Sequence, residues 1–197
     1  MLKKSDICNI FSVGLKLFLI TAISAMLLAV LNNVTSPIIA QNTKNKQEES
    51  MRMVLNRAES FEHVVLLDYE DAVGEIYKGL DADGKTVGYA VMTSSYGYGG
   101  DISLAVGVDN ELKVTGVDVI SHSETPGLGA NCTNTEFKNR FIGKTQGVEV
   151  VKNGAKNNQI DAITSATITS KAVTSGVNTA ISAVKVVKEA EYSEAKQ

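Results

Sequence analysis

The segment from Asp161 to Ser170 concentrates side chains that could do chemistry. It reads Asp-Ala-Ile-Thr-Ser-Ala-Thr-Ile-Thr-Ser, so five of its ten residues carry hydroxyl groups. An amphipathic helix is predicted directly after it, and the first amides and dipole of a helix favour an anion. A hydroxyl at that place can also be a covalent attachment point. Serine and threonine are equally the residues that cap helices, so the segment predicts a phosphate or cofactor site or an N-cap.

A second segment, His122–Gly129, follows a predicted strand and reads His-Ser-Glu-Thr-Pro-Gly-Leu-Gly. Pro126 and Gly127 predict a tight turn, and glycines at 127 and 129 allow the backbone to approach a ligand closely. The alternative is an ordinary loop with solvated charged side chains. A hydrolase is disfavoured because the segment contains no nucleophile elbow.

A third segment, Ser94–Gly100, is rich in glycine and tyrosine. Its composition is suited to stacking against a planar ligand and equally to a mobile surface loop. It is not a P-loop, because no Gly-Lys-Ser/Thr follows it. The cysteines match no metal-ligand spacing, so no metal site is predicted. The net charge is −3 and no basic patch is interleaved with aromatics, which disfavours nucleic-acid binding.

An α+β domain with an antiparallel sheet and flanking helices must position these segments. Four short strands, joined in pairs by turn sequences, are predicted at Glu75–Leu80, Thr86–Ser94, Asp101–Val108 and Leu112–Ser121. A short helix is predicted at Asn131–Ile142 and a further strand at Gly147–Val151. The last helix is predicted at Ser170–Glu191, where apolar residues recur at helical spacing. They are Val173, Val177, Ala180, Ile181, Val184 and Val187.

The N-terminal part predicts a membrane anchor over residues 10–31. No charge occurs from Leu17 to Leu31, and Lys16 can extend its amine toward the headgroups, so the stretch is long enough to cross a bilayer. Lys3 and Lys4 precede the stretch and no basic cluster follows it, which places residues 1–9 in the cytoplasm. A cleaved signal peptide is the alternative. It is disfavoured because the apolar run is long and lacks an Ala-x-Ala site.

The remaining chain divides into a stalk and a folded domain. Residues 32–62 predict a stalk or linker that is helical from Gln41 to Phe61, with apolar residues at helical spacing. Residues 63–197 then form the predicted domain. Because the span places them beyond the membrane, this domain is expected outside the cytoplasm.

Taken together, these features resemble those of a known family. The motif at residues 161–170 is similar to the covalent FMN attachment motif of the FMN-binding domain, Asp-x-x-Ser/Thr-Gly-Ala-Thr-x-Thr/Ser. The Glu-Thr-Pro-Gly-Leu-Gly stretch at 124–129 and the Gly-Tyr-Gly-Gly loop at 97–100 also match, as does the order of span, stalk and domain. This domain occurs in the G subunit of the Rnf electron-transport complex and in the C subunit of the sodium-pumping NADH:quinone reductase. The short length of the chain favours the Rnf protein.

The resemblance implies that Thr167 carries FMN through a phosphoester and that a flavin transferase attaches it from FAD. It also implies the residues around the cofactor. Thr164, Ser165, Ala166 and Thr169 are expected around the ribityl phosphate, Glu124, Thr125, Leu128 and Gly129 around the flavin ring, and Asp161 and Tyr98 among the further cofactor-binding residues. Ser165 stands where the family usually has glycine, so the turn is strained here if that position needs a positive φ.

The resemblance further implies a membrane-anchored electron-transfer subunit. It would work with other subunits of an Rnf-type complex that couples electron transfer between ferredoxin and NAD to movement of Na⁺ or H⁺. The alternatives are a free-standing covalent-FMN protein of extracytoplasmic electron transfer, a component similar to the C subunit of a sodium-pumping NADH:quinone reductase, and an anchored domain without flavin.

Overall fold

The structure is a computed structural model, and it describes residues 4–64, 73–194 and 196. Lys3, part of the predicted cytoplasmic N-terminus, and residues 65–72, part of the predicted domain, lie outside the described residues. The chain divides into two compact units, Met1–Asn45 and Lys46–Gln197. The elements in chain order are α1 (Lys4–Val54), β1 (Ser60–Val64), β2 (Val73–Leu80), β3 (Thr86–Tyr96), β4 (Asp101–Asp109), β5 (Val114–Ser121), a 3₁₀ helix (Gly129–Thr133), α2 (Thr135–Asn139), β6 (Glu149–Val151), β7 (Gln159–Asp161) and α3 (Thr167–Glu194).

The first unit contains the apolar part of α1. Within the described residues, this is the one helix long and apolar enough to cross a membrane, and its most apolar window has a mean hydropathy of 2.3. Its large apolar side chains are exposed, as at Phe18, Met26 and Leu28. The predicted apolar N-terminal helix is therefore confirmed.

The second unit is built on an antiparallel sheet with the strand order β1-β2-β3-β4-β5. Each strand pairs with the next along the chain, which confirms the four predicted strands and the α+β class. β1 differs from the prediction, because residues up to Phe61 were expected to be helical. α1 ends at Val54 instead, and Ser60–Val64 pairs in register with β2 from Leu80 to Ile76.

One face of the sheet is covered by the last turns of α1. Met51 and Val54 are buried there against β3 and β4. The close approach depends on Gly107 and Gly116, since a Cβ at either position would collide with the Val54 backbone. The Thr115 hydroxyl donates a hydrogen bond to the Val54 carbonyl oxygen at 2.5 Å. These residues belong to the second compact unit, which starts at Lys46.

The opposite face is covered by α3. The helix begins at Thr167, three residues before the predicted start, and all six residues of the predicted apolar stripe are buried: Val173, Val177, Ala180, Ile181, Val184 and Val187. They pack against the side chains that β3 and β4 present to this face, among them Val91 and Leu104. This apolar packing fixes the position of α3 on the sheet, and with it the position of the hydroxyl-rich segment at the start of the helix.

The connection from β5 to α3 differs from the prediction in two places. The single helix expected at Asn131–Ile142 is a 3₁₀ helix followed by the five-residue α2. β7 is an additional strand, and it pairs in parallel with β6. α2 is tied to edge strand β5 because the Lys138 ammonium donates to Asp118 Oδ1 at 2.8 Å. Ser50 Oγ of α1 donates to Asp118 Oδ2 at 2.7 Å.

Candidate functional site

The chain enters α3 through a tight turn at Ile163–Ala166. The Ala166 N–H donates to the Ile163 carbonyl oxygen at 3.0 Å, and Ser165 has a φ of 60°. Ser170 clamps this turn to the helix. Its hydroxyl accepts from the Ile163 N–H and donates to the Ala166 carbonyl oxygen, each at 2.9 Å. Because Ser170 is fully buried, the clamp is shielded from water.

The five hydroxyls of the segment divide into two groups. Thr169 and Ser170 are buried and hydrogen-bonded inside the protein, whereas Thr164, Ser165 and Thr167 are exposed. Thr167 is the first residue of the 28-residue α3, where the helix dipole is positive. The structure thus leaves three hydroxyl-bearing residues exposed at this hydrogen-bonded turn, one of them at the helix start.

Glu124 connects the three segments that stood out in the sequence. It is 6% exposed. Its Oε1 accepts hydrogen bonds from the Tyr98 N–H at 2.7 Å and the Gly99 N–H at 3.0 Å. Its Oε2 accepts from the Thr169 hydroxyl at 2.7 Å. One carboxylate therefore holds the glycine-rich loop and the start of α3 to its own loop.

The hydrogen bonds to Glu124 keep it ionised. Burial disfavours the charged form and raises its pKa, but donation from Thr169, Gly99 and Tyr98 outweighs burial, and the net pKa lies below the usual value. An ionised carboxylate accepts hydrogen bonds and has no proton to give. Glu124 is consequently a structural acceptor at neutral pH.

Two glycines in the sequence segments make room for this carboxylate. A Cβ on Gly97 would overlap Glu124 Oε1, and one on Gly129 would overlap Oε2. The glycines at 97 and 129 are therefore required by close packing against Glu124. Tyr98 gives its amide to the same carboxylate, while its side chain is 72% exposed.

A cleft of about 360 Å³ opens beside the turn at Ile163–Ala166. Its volume lies in the range of ligand sites, roughly 300–1,000 Å³. It is lined by Gly127, Leu128, Asn131, Asn134, Glu136, Phe137, Arg140, Ile163, Thr164 and Ser165. Three of these, Leu128, Thr164 and Ser165, are predicted cofactor contacts. Phe137 and Arg140 were missed, because no local pattern marks them and α2 reaches the turn through the tertiary fold.

Arg140 places a fixed cation in this cleft. Its Nη1 donates to the Asp161 carbonyl oxygen at 2.8 Å, and its Nη2 donates to Glu136 Oε1 at 2.7 Å. The guanidinium carbon lies 5.7 Å from the centre of the Phe137 ring. Backbone, carboxylate and ring together restrain the side chain, so the charge has a defined position.

The other predicted site residues support the loops. The Asp161 carboxylate accepts from the Ala155 N–H at 2.9 Å. The Thr125 carbonyl oxygen accepts from the N–H groups of Leu128 and Ala130, at 3.2 and 3.1 Å, which closes the turn after Glu124. Ala166, the last residue of the turn at Ile163–Ala166, is buried. Direct contacts of these residues with a cofactor stay predictions.

Ser165→Gly is expected to stabilise the protein. A non-glycine residue in the left-handed region costs about 1–2 kcal/mol, and glycine removes this strain. Part of the gain is lost, because glycine also raises the conformational entropy of the unfolded chain. The net gain should be about 0.5–1 kcal/mol, measured as a higher Tm of the full chain in detergent. Thr164→Gly is the matched control and should lower Tm, because Thr164 is not among the residues with positive φ. A lower Tm for Ser165→Gly would contradict the strain at this turn.

Comparison with known proteins identifies relatives that match most of the chain. The family model described as FMN-binding domain matches residues 97–182, which include both the Glu124 loop and the α3 start. The chain is 37% identical to the G subunit of the proton-translocating ferredoxin:NAD(+) oxidoreductase complex of Clostridium ljungdahlii, over 93% of this chain and 96% of that protein. It is 38% identical to the G subunit of the Na(+)-translocating ferredoxin:NAD(+) oxidoreductase complex of Acetobacterium woodii, over 87% and 90%.

Solved structures show the same fold at lower sequence identity. The C subunit of the Na(+)-translocating NADH-quinone reductase of Parabacteroides distasonis superposes with a TM-score of 0.54 at 22% identity, over 70% of this chain and 87% of that one. NqrC of Shewanella oneidensis gives a TM-score of 0.51 at 24% identity, over 65% and 66%. These similarities confirm the predicted α+β fold.

Proposed function

Because the chain belongs to the family of G subunits of ion-translocating oxidoreductase complexes, we propose that it relays electrons in such a complex through FMN covalently bound at Thr167. The observation that carries the proposal is the exposed Thr167 hydroxyl at the first position of α3, inside the stretch that matches an FMN-binding domain. Thr169 and Ser170 are buried and hydrogen-bonded, so they are poor candidates for attachment.

The residues around Thr167 fit FMN. A phosphoester carries negative charge, which the start of a long helix stabilises. The lining of the neighbouring cleft combines the exposed apolar side chain of Leu128 and the buried ring of Phe137 with amide and hydroxyl groups. Such a lining suits a flat ring that is apolar on its faces and polar at its edges. The hydroxyls of Thr164 and Ser165 stand where the cleft meets the turn.

Attachment requires one bond to form and one to break. In this proposal the Thr167 oxygen bonds to the flavin-side phosphorus of FAD, and the bond from that phosphorus to the AMP oxygen breaks. AMP leaves, and the hydroxyl proton passes to a base of the flavin transferase or to water. Thr167 suits this reaction because its hydroxyl is exposed while the turn beside it is held by Ser170.

The chain's own residues position the cofactor and retain it. When bound, FMN supplies the redox chemistry. Glu124 holds the two loops together, and the turn at Ile163–Ala166 fixes the start of α3. A covalent link keeps a flavin from being lost outside the cytoplasm, where the proposed orientation places the domain.

We place α1 in the membrane with the N-terminus in the cytoplasm. The exposed apolar surface of the helix supports the anchor, and the lysines at 4 and 16 support the orientation. The proposed partners are the other subunits of the complex and a flavin transferase acting outside the cytoplasm. Identity of 35–38% with three G subunits favours this complex over a role in a sodium-pumping NADH:quinone reductase, which rests on fold similarity.

A single expression experiment tests attachment and orientation. The full chain is produced in a bacterial host with an exported flavin transferase, and membranes are analysed for flavin fluorescence after denaturing electrophoresis. We expect a fluorescent band whose labelled peptide contains Thr167. Protease added to intact spheroplasts should remove that band and spare a cytoplasmic marker. A dark chain beside a labelled control substrate would refute covalent attachment, and a protected label would refute the orientation.

The same preparation separates the complex subunit from a free-standing flavoprotein. A subunit should co-purify with other membrane proteins of its native complex and show no complete turnover by itself. Full electron-transfer activity of the purified chain without partners would favour the free-standing alternative.

A further inference from the structure

We propose that Arg140 sets the redox equilibrium of the flavin, by stabilising the negative charge that the ring gains on reduction. This inference rests on the proposed function and deepens it, since it assigns a role to a cleft residue outside the attachment motif. Arg140 follows α2 directly, and it lines the same cleft as Leu128 and Ser165.

The position of the cation is fixed from two sides. The Asp161 carbonyl oxygen accepts from Nη1 at 2.8 Å, and Asp161 lies two residues before the turn that leads to Thr167. α2 is itself tied to the sheet, because Lys138 donates to the buried carboxylate of Asp118 at 2.8 Å. The guanidinium therefore keeps its place at the cleft wall without a ligand to hold it.

The two charges that line the cleft are unequally screened by water. Arg140 and Glu136 are the charged residues among the lining residues described by the structure. The Glu136 side chain is 86% exposed, whereas that of Arg140 is 30% exposed. Water screens the outer carboxylate strongly, so an ion pair of this kind neutralises little of the field inside the cleft. The other lining groups are amides, hydroxyls, glycine and apolar side chains.

Reduction adds charge at such a site. A flavin that takes up two electrons and one proton carries one more negative charge than its oxidised form. The electrons come from dithionite in the test below and from the reduced electron carrier of the complex in the cell. Arg140 favours the reduced form through attraction, as charges near the ring generally tune a flavin.

The test is a spectroelectrochemical titration of the flavinylated full chain in detergent, with dithionite as reductant and absorbance as readout. Arg140→Gln should lower the equilibrium constant for reduction about tenfold, which is a fall of about 30 mV for a two-electron couple. Arg140→Lys, which keeps the charge, should stay within about threefold of wild type. Added salt should shrink the difference between wild type and Arg140→Gln.

Glu136→Lys is the matched variant of opposite sign. Its site is largely exposed, so the fold should be unaffected, and the equilibrium constant for reduction should rise by about twofold to fivefold.

An equilibrium constant for Arg140→Gln within twofold of the wild-type value overturns the inference. If Arg140→Gln does not fold, as judged by thermal unfolding before flavinylation, an unchanged constant in Glu136→Lys overturns it instead. A wild-type chain without covalent flavin overturns the proposed function and this inference together. If the wild type is labelled but the variants have the same equilibrium constant for reduction, this inference alone is overturned.

Discussion

Thr167→Ala is expected to abolish covalent flavin attachment while the domain stays folded. The substitution removes the one oxygen that the proposed phosphoester needs, so labelling should fall below detection, at least about a hundredfold. The side chain is exposed at the first position of α3, where a small residue is well tolerated. Substitutions at exposed sites of this kind change stability by about 0.5 kcal/mol or less, so Tm should move by no more than about 2 °C.

Two matched variants separate attachment from general effects on the segment. Thr164→Ala removes another exposed hydroxyl three residues away and should retain the label. Thr167→Ser keeps a hydroxyl at the same position and should be labelled, though more slowly. Covalent flavin in both variants is measured by fluorescence after denaturing electrophoresis and by mass mapping of the labelled peptide. A labelled Thr167→Ala chain, or a label lost from Thr164→Ala instead, would sink the assignment of Thr167.

Glu124→Ala is expected to destabilise the domain by about 3 kcal/mol and to impair labelling of an intact Thr167. The substitution leaves three donors without their acceptor: the Tyr98 and Gly99 amides and the Thr169 hydroxyl. The Thr169 hydroxyl is buried, and a buried donor left unpaired costs about 1–3 kcal/mol, whereas water can reach the part-buried amides of Tyr98 and Gly99 and lowers their cost. Thermal unfolding of the full chain in detergent should show a fall of roughly 6–12 °C in Tm.

A control of the same residue type shows whether burial is the cause. Glu136→Ala removes a carboxylate whose side chain is 86% exposed and should change stability by no more than about 0.5 kcal/mol. If Glu124→Ala were as mild as Glu136→Ala, the carboxylate would not be what holds the loops to α3.

Acidification provides a second measure of the same carboxylate. The pKa of Glu124 in the folded chain lies below its ordinary value of 4.5, so its ionised form contributes stability above that value. This contribution is lost as the pH falls through the folded-state pKa. Glu124→Gln cannot titrate, so the stability advantage of wild type over it should be constant near pH 7 and shrink below about pH 4.5. An advantage that grows on acidification would contradict an ionised Glu124.

The sequence by itself determined the elements whose patterns are local. Turn sequences between short runs predicted four strands, and helical spacing predicted the buried stripe of α3. Both signals are local, because a turn is made by neighbouring residues and side chains recur every three or four residues on one face of a helix. The apolar N-terminal helix and the family of the domain were likewise evident, since a long uncharged run and a hydroxyl-rich motif each occupy one continuous segment.

The backbone conformation at Ser165 was indicated in part by the sequence and decided by the structure. Serine in place of the usual glycine raised the question of strain, but the sequence could not give the dihedral. The structure gives a φ of 60°, because the turn is closed by the Ala166 amide and clamped by Ser170.

Only the tertiary structure decided which hydroxyls of the segment are accessible. Thr167 and Thr169 are equivalent by composition, yet Thr169 meets a carboxylate 45 residues earlier in the chain and is buried by it. Likewise, β1 is a strand because β2 pairs with it, and Arg140 reaches the cleft because Asp118 and Lys138 dock α2. The burial of a side chain, the pairing of a strand and the charge at a site depend on residues that are distant in sequence. A local sequence pattern does not predict which distant residues come into contact.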